Sequence, residues 1–397
     1  VNEASTVRAQ FDRVQRIALS SGAIGLVLSS AFAIRNSAQF FRSYLFAYVF
    51  WLAIPMGCMA ILMLHHLTGG WWGYPIRRLL EAGTRTFVWM AVLFVPVLVG
   101  MSHLYKWAQP AEVAADPMLQ YKRPYLNPQF FTVRVVIYFA IWIGLAWLLN
   151  KWSREQDRTG DPRLATRLAT RLEALSGPGL ILWGIAVTYS SIDWVMSLEA
   201  HWFSTMYGMI VMVVAALTAM SFVVFVLRKL SGQEPIAHAV TASQFNDLGN
   251  LMLAFVMLWA YLSFSQFLII WAGNIKDEIP WYTARAFGGW GVIAVILIVL
   301  HFALPFLLLL QRGVKRRLQT LSLVAGMLIV LSLVDVYWLV APAYETSGPS
   351  PSLMDVFAVV VIGGVWLAAF ISELKKRPLL PQHDPRFEGV LEHEHGG

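Results

Sequence analysis

The sequence predicts an all-α integral membrane protein of about ten transmembrane helices. Three observations predict it. Of 397 residues, 58% are hydrophobic and only 13% charged, against about 25% charged in a soluble domain. The apolar residues gather in runs long enough to cross a hydrocarbon core, which takes about 20 residues of helix. Aromatic residues make up 14% of the chain and include 17 tryptophans, a load suited to anchoring at two membrane interfaces. An open sheet would leave backbone groups unpaired in lipid, and the runs are too long for barrel strands, so helices must do the spanning.

The predicted spans are residues 17–34, 43–67, 87–105, 131–150, 178–197, 204–228, 247–272, 287–311, 319–341 and 354–373. A polar cytoplasmic segment, 1–16, precedes them, and a cytoplasmic tail, 374–397, follows. Span 1 ends in Ala33-Ile34-Arg35-Asn36 without a small-residue cleavage site, so it reads as a retained helix rather than a signal peptide. Pro55 in span 2 and Pro96 in span 3 each open a gap in helical hydrogen bonding. His65 and His66 close span 2 ahead of Trp71 and Trp72, in a capping and anchoring role. Before span 5, Asp161 is an N-cap and Pro162 a first helical residue; Arg163, Arg167 and Arg171 then recur every four residues beside a leucine row. This stretch is expected to be a helix, either flat on the inner leaflet or solvated within the loop. In span 8, Pro305 follows His301 by four residues, which predicts a kink and a freed carbonyl beside the imidazole. Ser190 and Asp193 late in span 5 are echoed by Ser332 and Asp335 late in span 9. That echo suggests a duplicated four-helix unit, with function at the joint between copies.

Lysine and arginine number 22 on the head, even-numbered loops and tail but 7 on the odd-numbered loops. The positive-inside rule therefore predicts cytoplasmic termini. The net charge of +7 reads as this topology signal, and no basic patch suits nucleic acid.

Ionisable groups inside a bilayer are costly and need partners, so they are the candidates for function. Asp193, Asp335 and His301 lie at successive depths, and Asp247, Asn250, Tyr261 and Ser265 fall on one arc of span 7. Together they make either a proton path or interhelical hydrogen-bonding contacts. His103, Arg134 and His201 lie near the outer boundary, where a quinone headgroup would meet them. The single cysteine, Cys58, excludes a disulfide framework and a cysteine-ligated cluster, and only His65 and His301 could conceivably pair on haem. No nucleophile elbow, phosphate loop or zinc motif occurs, so no catalytic residue and no metal ligand is assigned.

Four stretches carry a family resemblance: Ser43 to Gly70 (SYLFAYVFWLAIPMGCMAILMLHHLTGG), Asp193 to Gly208 (DWVMSLEAHWFSTMYG), Leu253 to Tyr282 (LAFVMLWAYLSFSQFLIIWAGNIKDEIPWY) and Arg377 to Pro385 (RPLLPQHDP). With them the chain resembles, over nearly its whole length, the ActF membrane subunits of alternative complex III, a branch of the NrfD/PsrC-like family. The resemblance implies two four-helix bundles, helices 2–5 and 6–9, with flanking helices, in a subunit of the bacterial cytoplasmic membrane that belongs to a respiratory or photosynthetic quinol oxidoreductase. Such a subunit binds no redox cofactor itself; the reading is that it scaffolds the assembly, with the intramembrane polar residues as a candidate proton route. Menaquinol or another quinol would be the substrate of the complex. Partner chains would carry the redox groups: an iron–sulfur subunit, multihaem and monohaem cytochromes c, the sister subunit ActC and small membrane subunits. A secondary transporter, or a subunit with its own quinone headgroup site, remains the alternative.

Overall fold

The structure, a computed structural model, describes residues 3–345 and 347–385. Ten of its helices are long and apolar enough to cross a membrane, and no strand occurs among the described residues. The chain is a multi-pass, all-α membrane protein. We number the spanning helices α1 (Glu3–Arg35), α2 (Ser37–Thr68), α3 (Arg77–Val99), α4 (Pro128–Arg158) and α5 (Pro162–Trp194). They continue as α6 (Tyr207–Leu230), α7 (Ala242–Gly273), α8 (Gly288–Leu310), α9 (Leu318–Val340) and α10 (Leu353–Leu374). Ten crossings put both ends of the chain on one face, here called the tail face. The part of the expected tail beyond residue 385 lies outside the described residues.

The helices α2 to α5 close a ring in which α2 packs on α3, α3 on α4, α4 on α5 and α5 back on α2. A second ring, α6 to α9, closes in the same order. The rings meet where α2 lies against α6 and α9, and α6 against α2 and α5. Exchanging the two units maps these contacts onto each other, as expected for parallel repeats about an axis along the membrane normal. Outside the rings, α1 pairs with α10, and α10 leans on α2.

Small residues set the closest approaches. A Cβ on Gly57 would lie 2.0 Å from the Ala215 carbonyl oxygen, so α2 and α6 touch backbone to side-chain-free backbone. A Cβ on Gly364 would lie 2.5 Å from the Ala18 carbonyl oxygen, which joins α10 to α1 in the same way. In lipid, where apolar burial gives no net drive, such contacts supply the packing.

Several boundaries depart from expectation. The polar head from Glu3 onward is helical and continuous with the first span. The third span begins at Arg77, ten residues before its predicted start, because the charges there pair with one another instead of seeking water. It is broken around Arg85–Thr86 and at Phe94, just before Pro96, whereas α2 runs unbroken through Pro55. The arginine-bearing helix before span 5 does not lie flat. It is the first part of α5, a continuous helix of 33 residues that buries Leu168 and Leu172 and leaves Arg163, Arg167 and Arg171 exposed. At 1.5 Å per residue α5 is roughly 50 Å long, so its first turns stand clear of the hydrocarbon.

Candidate functional sites: two buried aspartates

Each bundle buries one aspartate, in different company. In the first, Asp193 of α5 is fully buried, and Arg134 of α4 grips both its oxygens, Nε at 2.7 Å and Nη2 at 3.1 Å. Tyr138 Oη donates to the same carboxylate at 2.7 Å. The guanidinium also donates to the Tyr125 carbonyl at 2.9 Å and stacks 3.9 Å from the Tyr125 ring centroid. A bidentate pair of this kind cancels both charges and fixes the geometry of helices α4 and α5.

In the second bundle, Asp335 of α9 is also buried, but its hydrogen-bond partner is neutral: the indole Nε1 of Trp259, on α7, at 3.0 Å. The other side of Trp259 faces His301, ring centroids 4.6 Å apart and edge to face. The His301 side chain is fully buried, and neither ring nitrogen has a hydrogen-bond partner among the described residues. Buried polar groups of this sort call for water or a ligand. The histidine also sits inside a π-helical stretch, Leu297–Ala303, directly before Pro305. The freed carbonyl expected from Pro305 is thus accommodated by a wider turn, a feature that recurs at functional positions.

The polar arc expected on span 7 does not join this group. The buried face of α7 carries Leu248, Met252, Val256, Trp259, Gln266 and Ile270, roughly 140° around the helix from the arc. Asp247 and Tyr261 are exposed, Ser265 is half-buried, and the exposed Asn250 accepts from Lys315 Nζ at 2.6 Å. Nor do the three outer candidates share a pocket by any contact. His103 meets Ser37 at 3.2 Å and packs on Phe41, while His201 pairs with Asp116 at 2.5 Å. Arg134 is committed to Asp193. Partial desolvation raises the pKa of Asp116, but the His201 bond and the amides of Met118 and Leu119 outweigh it and hold that carboxyl below its ordinary range.

Two polar clusters were not foreseen. At the tail face, Glu81 of α3 accepts from Arg77 at 3.1 Å, Arg78 at 2.7 Å, Arg377 at 3.0 Å and Ser153 Oγ at 2.6 Å. Asp384 pairs with Arg77, and Asp157 with Arg78, so three cations face three carboxylates in a nearly dry site. At the opposite face the fully buried Arg285 donates to Glu199 at 2.8 and 3.3 Å, tying the connection between α5 and α6 to that between α7 and α8. Read one residue at a time, the first cluster looks like loop charge. The signal that could have revealed it is the near-equal number of acids and bases at Arg77-Arg78-x-x-Glu81, Asp157 and Arg377-to-Asp384.

No family model matches the chain, and no curated protein matches it.

Proposed function

We propose that the chain is the membrane subunit of a quinol-oxidising, electron-transferring complex of the alternative complex III kind, seated in a bacterial cytoplasmic membrane with both termini inside. It scaffolds partner chains that hold the iron–sulfur clusters and c-type haems, and it conducts protons through its second bundle. One observation carries the proton reading: of the two buried aspartates, Asp193 is neutralised by Arg134, while Asp335 has, among the described residues, only the indole of Trp259, whose ring also packs against His301, a histidine with no hydrogen-bond partner among them. The Arg134 guanidinium already balances the Asp193 carboxylate, whereas a carboxyl with no counter-charge in a low-dielectric site carries charge only at a cost, and intramembrane groups of that kind mark proton relays. The scaffold reading is supported by where the four resembling stretches fall. They build the central helix α2, the connection from α5 to α6, most of α7 and the tail segment locked over Glu81.

The route proposed from this geometry is shorter than the sequence suggested. It runs through His301 and Asp335 and leaves out the arc of α7. In the assembled complex, Asp335→Asn and His301→Gln are expected to lower protons moved per electron by at least about tenfold, with haem and cluster content unchanged. Wild-type translocation in both variants would remove the route.

A further inference from the structure

A cavity of about 240 Å³ lies between α3 and α4, close to the buried ion network at the tail face. The two helices run antiparallel, so their residues sort by depth. Arg85, Asn150, Lys151 and Arg154 line it nearer the tail face, and Val88 and Ile143 line it nearer the midplane. Trp147, also in the lining, is 60% exposed, and the Lys151 ammonium sits 4.9 Å from its ring centroid. A tryptophan so placed marks the level of the lipid headgroups.

The polar lining has unused capacity. Arg85 donates Nη2 to the Glu373 carbonyl at 2.8 Å, but its buried Nη1 has no partner among the described residues. The Asn150 amide nitrogen donates to Thr84 Oγ1 at 3.0 Å and to the Ala146 carbonyl at 2.8 Å, which leaves its buried Oδ1 as an unpartnered acceptor. Among the described residues no carboxylate pairs with Lys151 or Arg154. The nearby Glu373 divides its charge between Arg85 at 3.3 Å and Lys376 at 2.5 Å. Positive charge is therefore in excess. At the neighbouring Arg377, burial lowers the pKa to about 10 against the pull of Glu81, with smaller contributions in the same direction from Arg85, Arg78 and Arg154.

We propose that this cavity binds the headgroup of an anionic phospholipid. Arg85, Lys151 and Arg154 hold its phosphate, a headgroup hydroxyl donates to Asn150 Oδ1, and one acyl chain follows Val88 and Ile143. A basic pocket between helices with an apolar continuation toward the midplane has the chemistry of such a site. A neutral hydroxyl donor suits this site better than the ammonium of phosphatidylserine, which three neighbouring cations would repel, so lipids of the phosphatidylglycerol or cardiolipin class are favoured.

The full chain, delipidated in detergent, is given phosphatidylglycerol, phosphatidylcholine with the same acyl chains, or inorganic phosphate at matched ionic strength. Native mass spectrometry reads the bound lipid, and thermal unfolding reads the stabilisation. Phosphatidylglycerol is expected to bind and stabilise, phosphatidylcholine and phosphate are not, and K151Q/R154Q is expected to weaken binding by about tenfold. Both side chains are exposed, so this variant folds, and K151R/R154K is expected to bind like wild type. Equal retention of phosphatidylcholine, or undiminished phosphatidylglycerol binding by K151Q/R154Q, overturns the site. Equal stabilisation by inorganic phosphate overturns its assignment to a lipid.

Discussion

Asp193 lies in the last turn of α5 and Asp335 more than a turn before the end of α9, and their neighbours differ in charge. Arg134 gives Asp193 a full counter-charge, so removing the arginine strands a buried carboxylate. Arg134→Leu is expected to cost about 3–5 kcal/mol of stability, measured by unfolding in detergent; a loss near zero would show that the pair does not hold α4 to α5. Asp335 carries no such obligation. In Asp335→Asn the amide oxygen still accepts from Trp259, and the stability change is expected to stay within about 1 kcal/mol. A large loss there would make Asp335 a structural residue and weaken the proton reading. Glu81 is the third case. It accepts from three arginines, so Glu81→Gln is expected to destabilise by about 3–5 kcal/mol and to release the segment around Arg377 to protease, with an intact tail being the contrary result.

At the scale of the helix, close approach matters more than apolarity. Gly57 leaves no room for a side chain against Ala215, and Ala219 Cβ would be 2.5 Å from the new atom. Gly57→Leu is expected to force α2 from α6 and lower the thermal unfolding temperature sharply, while Gly177→Leu, at a position with open space, is expected to leave it unchanged. Equal effects from the two would dissolve the argument for a glycine-set interface. The ten spans were legible because lipid imposes one length and one polarity on every crossing. The start of α3 was not, since Arg77, Arg78 and Glu81 resemble loop charge until Asp157 and Asp384 are brought against them by the fold. The upright course of α5 was hidden for a related reason: a helix rich in arginine on one face and leucine on the other suits a membrane surface and a projecting helix equally well. The aspartates, His301 and the proline effect could be read singly from sequence. Their partners could not, because the orientation of α7 depends on which of two faces packs, and Trp259 rather than the polar arc turned inward.

In the whole molecule, two parallel four-helix units share the α2–α6 joint and bear the α1–α10 pair on one side. This arrangement fixes a topology that can be checked directly, since the single cysteine, Cys58, is buried and unreactive to membrane-impermeant reagents. Cysteines introduced at Arg163 and Lys106 are expected to label from opposite sides, Arg163 from the cytoplasm; labelling from one side would refute the span map. In the proposed reading the redox groups sit on partner chains, so the work of this chain depends on its neighbours. The most direct measurement is purification of the tagged chain from its native membrane in mild detergent, with partner identification and a visible spectrum. The account expects iron–sulfur and c-type cytochrome subunits in constant ratio and haem c absorbance that vanishes when the chain is stripped to itself. A chain that purifies alone and exchanges a solute across vesicles would contradict it.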